Sequence, residues 1–570
     1  MMIVGLLINI LLIAGVILGI RRLAGGSRRS GSGQGSSVRR FFQYVLCIGL
    51  VCVSAIGLSG LLARLFNQSN VISSNQVELA RNVTFVVVGL PLCAVMFFWT
   101  RRKFQSDENE SKSFEWDFYL TVISLTALVQ CLVALRDLLN WVVGVRDFNG
   151  TSLANLLVWG AIWYVHWWLH NRFEVSTHAQ GHHIIGAAIG LGISAVALSN
   201  LMRGLFDLLF QINRNDLIVK AKDPFLEATT LLLIGALTWF IYWIRKCARA
   251  ERNPLWFAYV LLLGVGGGLI AAVAALSTVL YQVLVWFFGD TTSTVASEHF
   301  KGTSTGLGAA LVGILIWWYH QSAIKASESG KRTEIRRIYE YLMSAIGLFA
   351  SAVGLSMILV SAMEAITRKT VITGTGAFNT LLAAITVLIV GAPVWFIFWN
   401  SIQKSLSQTA KEEYNSPSRR VYLYVLFGIG GIAAVVTLLI GVFLVLDDVF
   451  SGNFALETLR RARVAVAILV STAAISAYHW SVFKSEQEFY QSRSVGPHFV
   501  LLVGPNDPEI VRVIKEHTGG RVESWTRTDD GVGTWSQAEV IAALDSMKNE
   551  SVMLLAKSDG VEVLPINRAR

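Results

Sequence analysis

The sequence predicts an all-α polytopic membrane protein of about thirteen transmembrane helices, one N-terminal helix and six tandem parallel two-helix repeats, followed by a small cytoplasmic α/β domain. Three observations predict it. Of 570 residues, 54% are hydrophobic and only 15% charged, and the apolar residues come in runs long enough to cross a hydrocarbon core of about 30 Å. The runs recur in pairs with a period of about 70 to 85 residues. After Pro497 the composition changes to that of a water-soluble domain. In lipid every backbone N–H and C=O must be bonded within its own segment, so spans of this length are helices.

Taken in order, residues 1–22 form an apolar helix with Arg21, Arg22, Arg28 and Arg29 after it and no basic residue before it, the reverse of a cleavable signal. We read it as a retained helix. Residues 23–39 are rich in Gly, Ser and Arg and read as a loop. Six hairpins follow over 40–104, 114–173, 182–249, 253–325, 335–406 and 418–489. Their long first arms lie near 41–66, 114–144, 182–210, 253–289, 335–367 and 418–450. Their Trp-rich second arms lie near 82–100, 154–170, 226–244, 305–321, 380–400 and 463–482. The fifth hairpin shows the pattern best: Arg336, Arg337, Tyr339 and Tyr341 open it, and Gly391–Trp399 closes its second arm before Asn400. Glycines crowd some first arms, as at Gly264, Gly266, Gly267 and Gly268 or at Gly428, Gly430 and Gly431, and predict close helix packing.

The net charge of +10 does not lie along one face of a soluble domain, so no nucleic-acid partner is expected. Lys and Arg number 24 in the connections preceding the first arms, with the opening Arg336, Arg337, Arg419 and Arg420 included, and 11 within the hairpins, with Arg463 included. Basic residues mark the cytoplasmic side, which predicts an outside N-terminus, hairpin turns outside and a cytoplasmic C-terminus. Each unit holds two spans, so successive units share one orientation and the repeats are parallel. A ring of six hairpins and two bundles of three both satisfy this. Cys47, Cys52, Cys93, Cys131 and Cys247 have no CxxC spacing and read as small hydrophobes.

In residues 497–570, His498–Gly504 reads as a strand and Asp507-Pro508-Glu509 as a helix start ending at Gly519-Gly520. A strand over Arg521–Thr528, a capping box at Ser536–Glu539 and a hairpin turning at Asp559-Gly560 complete the order βαβαββ. Gly504-Pro505-Asn506 lacks the glycine spacing and lysine of a phosphate cradle. A docking or regulatory module that binds a cytoplasmic protein is expected rather than an enzyme.

The Arg-Arg-hydrophobic-Tyr openings at Arg336–Tyr339 and Arg419–Tyr422, with the Gly-to-Trp second arms at Gly160–Trp168, Gly235–Trp243 and Gly391–Trp399, resemble a bacterial family. It is the membrane domain of unknown function numbered five-six-seven-one, and the resemblance covers about 40–490. The third and fourth first arms lack the Arg-Arg opening, and the sixth second arm lacks the glycine. The resemblance implies a prokaryotic integral membrane protein, multi-pass in the inner membrane, and brings no catalytic residues.

Three groups of residues are candidates for function. Arg64, Arg136 and Arg203 fall near the outer ends of the first three first arms, and Gln282, Glu364 and Asp447 with Asp448 near those of the last three. Ionisable groups within spans are costly unless paired or wet, so a basic half set against an acidic half gives buried pairs or a solute site. Asp137 and Asp207 offer neutralisation on the same helices, Asp207 at i,i+4 from Arg203. Trp99, Trp168, Trp243, Trp317, Trp399 and Trp480 read as interfacial anchors toward the lipid bilayer. His166 and His170 share a helix face, with His178, His182 and His183 nearby, which offers a haem or metal reading, although interfacial histidines are favoured and no cofactor is predicted. Three function classes result: a membrane scaffold or sensor with a cytoplasmic partner-binding domain, a transporter or channel for a small solute or ion, and a haem or metal redox protein. The first is preferred, because an ion path needs polar residues at mid-membrane depth.

Overall fold

Among the described residues twelve long helices follow the hydrophobic pattern, and the first ten pack in consecutive pairs. The computed structural model describes residues 34–67, 76–107, 110–172, 180–210, 222–291, 293–325, 333–367, 376–408, 413, 416–493, 497–527, 533–545 and 551–566. The helix expected over 1–22 and His178 lie outside them. The helices are α1 Gln34–Phe66, α2 Gln76–Ser106, α3 Phe114–Val142, α4 Gly150–Arg172, α5 Gln180–Leu209 and α6 Lys222–Trp239, which continues as a π-helix over Phe240–Cys247. Next come α7 Pro254–Phe288, α8 Thr303–Lys325, α9 Glu334–Ile366, α10 Gly376–Gln408, α11 Pro417–Phe450 and α12 Leu456–Arg493. Among the described residues eleven helices are long and apolar enough to cross a membrane. The arm that falls short is α4, where Trp, Tyr and His replace aliphatic residues. Helix α1 begins at Gln34, so the end of the expected loop over 23–39 is helical.

The first arms start where the sequence places capping side chains. Ser113 accepts from the Trp116 N–H at 3.3 Å and Asn253 from the Trp256 N–H at 2.8 Å, each satisfying an N–H that the helix cannot. Within α7, Tyr259–Gly267 is π-helical. Neither π segment was legible from the sequence.

The chain divides into two units, residues 1–425 with 436–468 and residues 426–435 with 469–570. In the first unit the first five hairpins pack arm on arm, and the first arm of one hairpin also packs on the second arm of the next: α1 on α4, α3 on α6, α5 on α8 and α7 on α10. Glycines allow the close approach within hairpins. A Cβ at Gly190 would lie 2.5 Å from the Trp239 backbone nitrogen, one at Gly268 2.7 Å from that of Trp317, and one at Gly347 2.3 Å from that of Trp395. Gly264 is covered by the His320 ring. Close packing does not extend to Gly428 and Gly431, where an added Cβ would meet nothing among the described residues.

The second unit contains β1 Phe499–Gly504, α13 Pro508–Thr518, β2 Arg521–Thr526, α14 Gln537–Asp545, β3 Ser551–Lys557 and β4 Gly560–Ile566. The sheet order is β2-β1-β3-β4, with β1 parallel to β2 and β3 and with β4 antiparallel to β3. Val500 lies opposite Val522 and Val552, so alternate residues share a face. Val500, Leu502, Val552 and Leu554 form the domain core with Ile510, Ile514, Val540 and Leu544 from the two helices. Asp507 caps α13 by accepting from the Glu509 N–H at 2.9 Å, and Gly519, at φ 67°, ends it in a conformation that costs glycine least.

Candidate functional site

The paired arginines that open first arms are held by buried carboxylates. Arg39 donates to Glu110 at 2.8 Å, Arg40 donates through Nε to the same carboxylate at 2.8 Å, and Arg40 reaches Asp107 at 2.9 Å. Arg337 repeats the arrangement with Glu413 at 2.9 Å and Glu334 at 2.8 Å. Glu110 and Glu413 are both fully buried. Each lies three residues before the cap of the next first arm and accepts that residue's N–H with its backbone carbonyl, Ser113 at 3.3 Å and Ser416 at 3.2 Å. The ion pairs thus tie the start of a hairpin to the connection that leaves it.

Beside the first clamp, helices α1 to α4 enclose a cavity of about 540 Å³. Helix α1 packs on α2, α3 and α4, so α2 and α4 form the side walls. The interior is apolar, with Cys47, Leu50, Cys93, Met96 and Leu169. Tyr44, Thr100, Tyr119 and His166 are among the polar side chains that face it. Gln43 donates to Thr100 at 2.9 Å. His166 Nδ1 lies 2.7 Å from the Ile162 carbonyl, which can only accept, so the proton is on Nδ1 and Nε2 accepts from the Tyr119 hydroxyl at 3.0 Å. The Tyr44 hydroxyl, in a residue only 1% exposed, has no hydrogen-bond partner among the described residues. At the helix ends the cavity is bordered by Arg101 and Arg172, both exposed. The Arg172 guanidinium lies 5.1 Å from the Trp168 ring centre.

The expected polar site does not assemble from one basic and one acidic half. Asp447 pairs with Arg461 at 3.0 Å, and Asp448 pairs with the same arginine, all within one hairpin. Asp137 accepts from Ser152 at 3.1 Å and faces Arg146 at 3.6 Å, and Arg146 also reaches Glu227 at 3.1 Å. Gln282 accepts from Thr303 and, through its carbonyl, from His299 at 2.9 Å. Among the described residues Glu364 makes no ion pair, and no ion pair joins Arg203 to Asp207. Arg136 Nε and Asp207 Oδ1 are buried with no hydrogen-bond partner among the described residues. Arg64 is exposed at the end of α1. Neighbouring loops and the second arm of the same hairpin supply nearer partners than the opposite half of the chain, which is why the pairing between halves fails.

The aromatic anchors also divide. Trp99, Trp168 and Trp480 are 39%, 49% and 58% exposed, as a lipid-facing ring requires. Trp243 and Trp399 are buried, and Trp317 is half-buried. Trp243 donates to the Tyr319 hydroxyl at 3.0 Å and packs at 4.5 Å from the Tyr259 ring. It is a core residue, because the π-helical stretch carries it into the contact with α7 and α8. His166 and His170 do not converge either: His170 stacks on His182 at 3.6 Å, and His182 lies 3.8 Å from His183. Stacked rings present faces rather than lone pairs to one another. Among the described residues no group of three or more His, Cys, Asp and Glu side chains is placed to hold a metal ion.

Paired apolar helices with buried polar clamps, continued by an α/β domain, define a polytopic helical membrane protein. The model of the family described as Domain of unknown function (DUF5671) matches residues 40–165, 183–300 and 337–474, more than half of the chain, and the protein belongs to that family. No match was found among curated proteins or among solved structures.

Each match begins on a first arm and takes in helices of two successive hairpins, so the period is double the one visible in hydropathy. The matches begin at Arg40, His183 and Arg337. The middle copy therefore carries His182-His183 where the others carry Arg39-Arg40 and Arg336-Arg337. Counting back three residues from the caps at Ser113, Asn253 and Ser416 gives Glu110, Ala250 and Glu413. The middle copy has lost the arginines and their carboxylate together. Six residues beyond the caps lie Tyr119, Tyr259 and Tyr422, all buried. In the matching second arms His166, His320 and His479 each donate from Nδ1 to the carbonyl four residues back, at 2.7, 2.8 and 2.9 Å. Sequence reasoning missed this set, although Ile-x-x-x-His at 162–166, 316–320 and 475–479 was its signal. The polar candidates do not repeat: Arg136 corresponds to Leu276 and Leu439 in the same count.

Proposed function

We propose that the protein is a membrane sensor and scaffold in which the helical repeats take up an apolar ligand and residues 497–570 engage a cytoplasmic protein. The cavity of about 540 Å³ between α1 and α4 carries the reading, since pockets of this size and apolar lining hold small molecules. Trp525, 60% exposed on β2, supports the partner-binding role, because large aromatic residues concentrate at the centres of interfaces. In this reading thirteen spans lie in a bacterial inner membrane as parallel repeats, the N-terminus is outside and the C-terminus is cytoplasmic.

The test is site-specific photocrosslinking in cells with benzoylphenylalanine at Trp525, in the wild type and in a cavity-filled Cys47→Trp variant. One crosslinked protein whose yield changes at least threefold on filling the cavity is expected. An equal yield from both chains refutes sensing, and no crosslinked protein refutes the scaffold role. A second reading, transport, is favoured by Arg136 and Asp207, whose buried polar atoms lack hydrogen-bond partners among the described residues. Solute flux in proteoliposomes that disappears in Arg136→Ala would establish it.

A further inference from the structure

We infer that the cavity between α1 and α4 binds one anionic phospholipid of the bilayer, with its phosphate on Arg101 and Arg172 and an acyl chain inside. The inference rests on the sensor reading and names its ligand. The first argument is charge. Glu110 and Asp107 are already engaged by Arg39 and Arg40, and Glu115 and Asp117 in the first turn of α3 do not line the cavity. Arg101 and Arg172 make no ion pair among the described residues, and they border the cavity from its two side walls. Two guanidiniums flanking one opening suit a phosphate, which each can meet with charge-assisted hydrogen bonds.

The second argument is the orphaned hydroxyl. Tyr44 is buried, lines the cavity and has no hydrogen-bond partner among the described residues, a loss of about 1 to 3 kcal/mol unless something supplies an acceptor. The ester carbonyl of a phospholipid lies just below its phosphate and accepts only. Elsewhere in the lining the Tyr119 hydroxyl is bonded to His166, and Thr100 accepts from Gln43. Below the hydroxyl the cavity therefore offers an acyl chain apolar surface. From Arg101 down to Cys93 the wall is eight residues of helix, about 12 Å at 1.5 Å per residue.

The third argument is internal comparison. At the position of Tyr44 the middle copy has Ala187, and the last copy has Tyr341, whose hydroxyl receives Arg419 at 3.2 Å. Only the first of these three positions leaves a hydroxyl to be filled.

The experiment uses the full chain, purified in detergent and exchanged into nanodiscs containing equal phosphatidylglycerol and phosphatidylcholine, with co-purifying lipid counted by native mass spectrometry after release. The wild type is expected to retain one phosphatidylglycerol in at least tenfold preference to phosphatidylcholine. Arg101→Gln with Arg172→Gln should abolish the preference while leaving an acyl chain bound, and Tyr44→Phe should weaken retention of both lipids about fivefold. Arg81→Gln, far from the cavity, should change nothing. Equal retention of the two lipids by the wild type, or an unchanged preference in the double variant, overturns the inference. Competition by inorganic phosphate alone at millimolar concentration would assign the arginines to a free anion instead and also overturn it. If the lipid binds as described while the Trp525 crosslink ignores cavity filling, the sensor reading fails and the lipid site stands.

Discussion

Replacing Glu110 by glutamine keeps the shape of the side chain and one acceptor but removes the charge that holds two arginines. Glu110 is fully buried, whereas the Arg39 and Arg40 side chains are 30% and 14% exposed. Removing one partner of a fully buried pair costs about 3 to 5 kcal/mol. The partial exposure of both arginines lets water reclaim part of that, which brings the expected loss to roughly 2 kcal/mol. A double-mutant cycle with Arg40→Gln isolates the pair, because Arg39 stays in place throughout. The assay is reversible unfolding of the purified chain in mixed micelles of rising dodecyl sulfate content, followed by far-UV circular dichroism. A coupling of about 1.5 kcal/mol between Arg40 and Glu110 is expected. The same cycle on Glu78 and Arg81, 3.3 Å apart and half exposed, should give less than about 0.5 kcal/mol. A coupling at Arg40 and Glu110 no larger than at the exposed pair would refute the clamp.

Other outcomes can be checked separately. Joint introduction of His183→Arg and Ala250→Glu should be less destabilising than the sum of the two single changes, measured in the same unfolding assay, if the middle copy lost an arginine and its carboxylate as a unit. Gly347→Val forces a side chain to within van der Waals contact of the Trp395 backbone and should cost about 1 to 3 kcal/mol, with Gly428→Val near zero as its control. Tyr119→Phe leaves His166 Nε2 buried without a donor and should cost about 1 to 3 kcal/mol. For topology, a cysteine at Lys484 should resist membrane-impermeant maleimide in intact cells and react after lysis; labelling from outside would reverse the assigned orientation.

The hairpins were legible because lipid imposes one rule on backbone hydrogen bonds, and runs such as Leu381–Phe398 announce it. The first helix of the α/β domain was legible from local chemistry, because Asp507-Pro508 and Gly519 mark the ends of α13. The clamp was not, because Glu110 lies about 70 residues from its arginines and reads, in sequence, as one acid in a polar connection. The doubled period was hidden too, since hydropathy sees each hairpin alike and only polar positions such as His166, His320 and His479 distinguish odd from even. Arg136, Arg203, Glu364 and Asp447 share a depth along their first arms in the sequence, but depth does not tell which neighbour each helix face meets.

The two wide-turn segments of the middle copy make its aromatic contacts a matter of phase. In Tyr259–Gly267 hydrogen bonds span five residues rather than four, so the helix accommodates more chain per turn than its neighbours. Removing one residue there, Gly267 for instance, would let the turn tighten to ordinary winding without shortening either flank. The wide turn holds that residue at no cost in angle, so Trp256 and Tyr259 would keep facing Trp243 and the far end of α7 would keep its place beside α8. Removing a residue from an ordinary turn of α7 would instead rotate the two flanks by about 100° relative to each other. The wide turns of the middle copy thus act as slack, absorbing a change of one residue without turning the aromatic end of the helix from its partners.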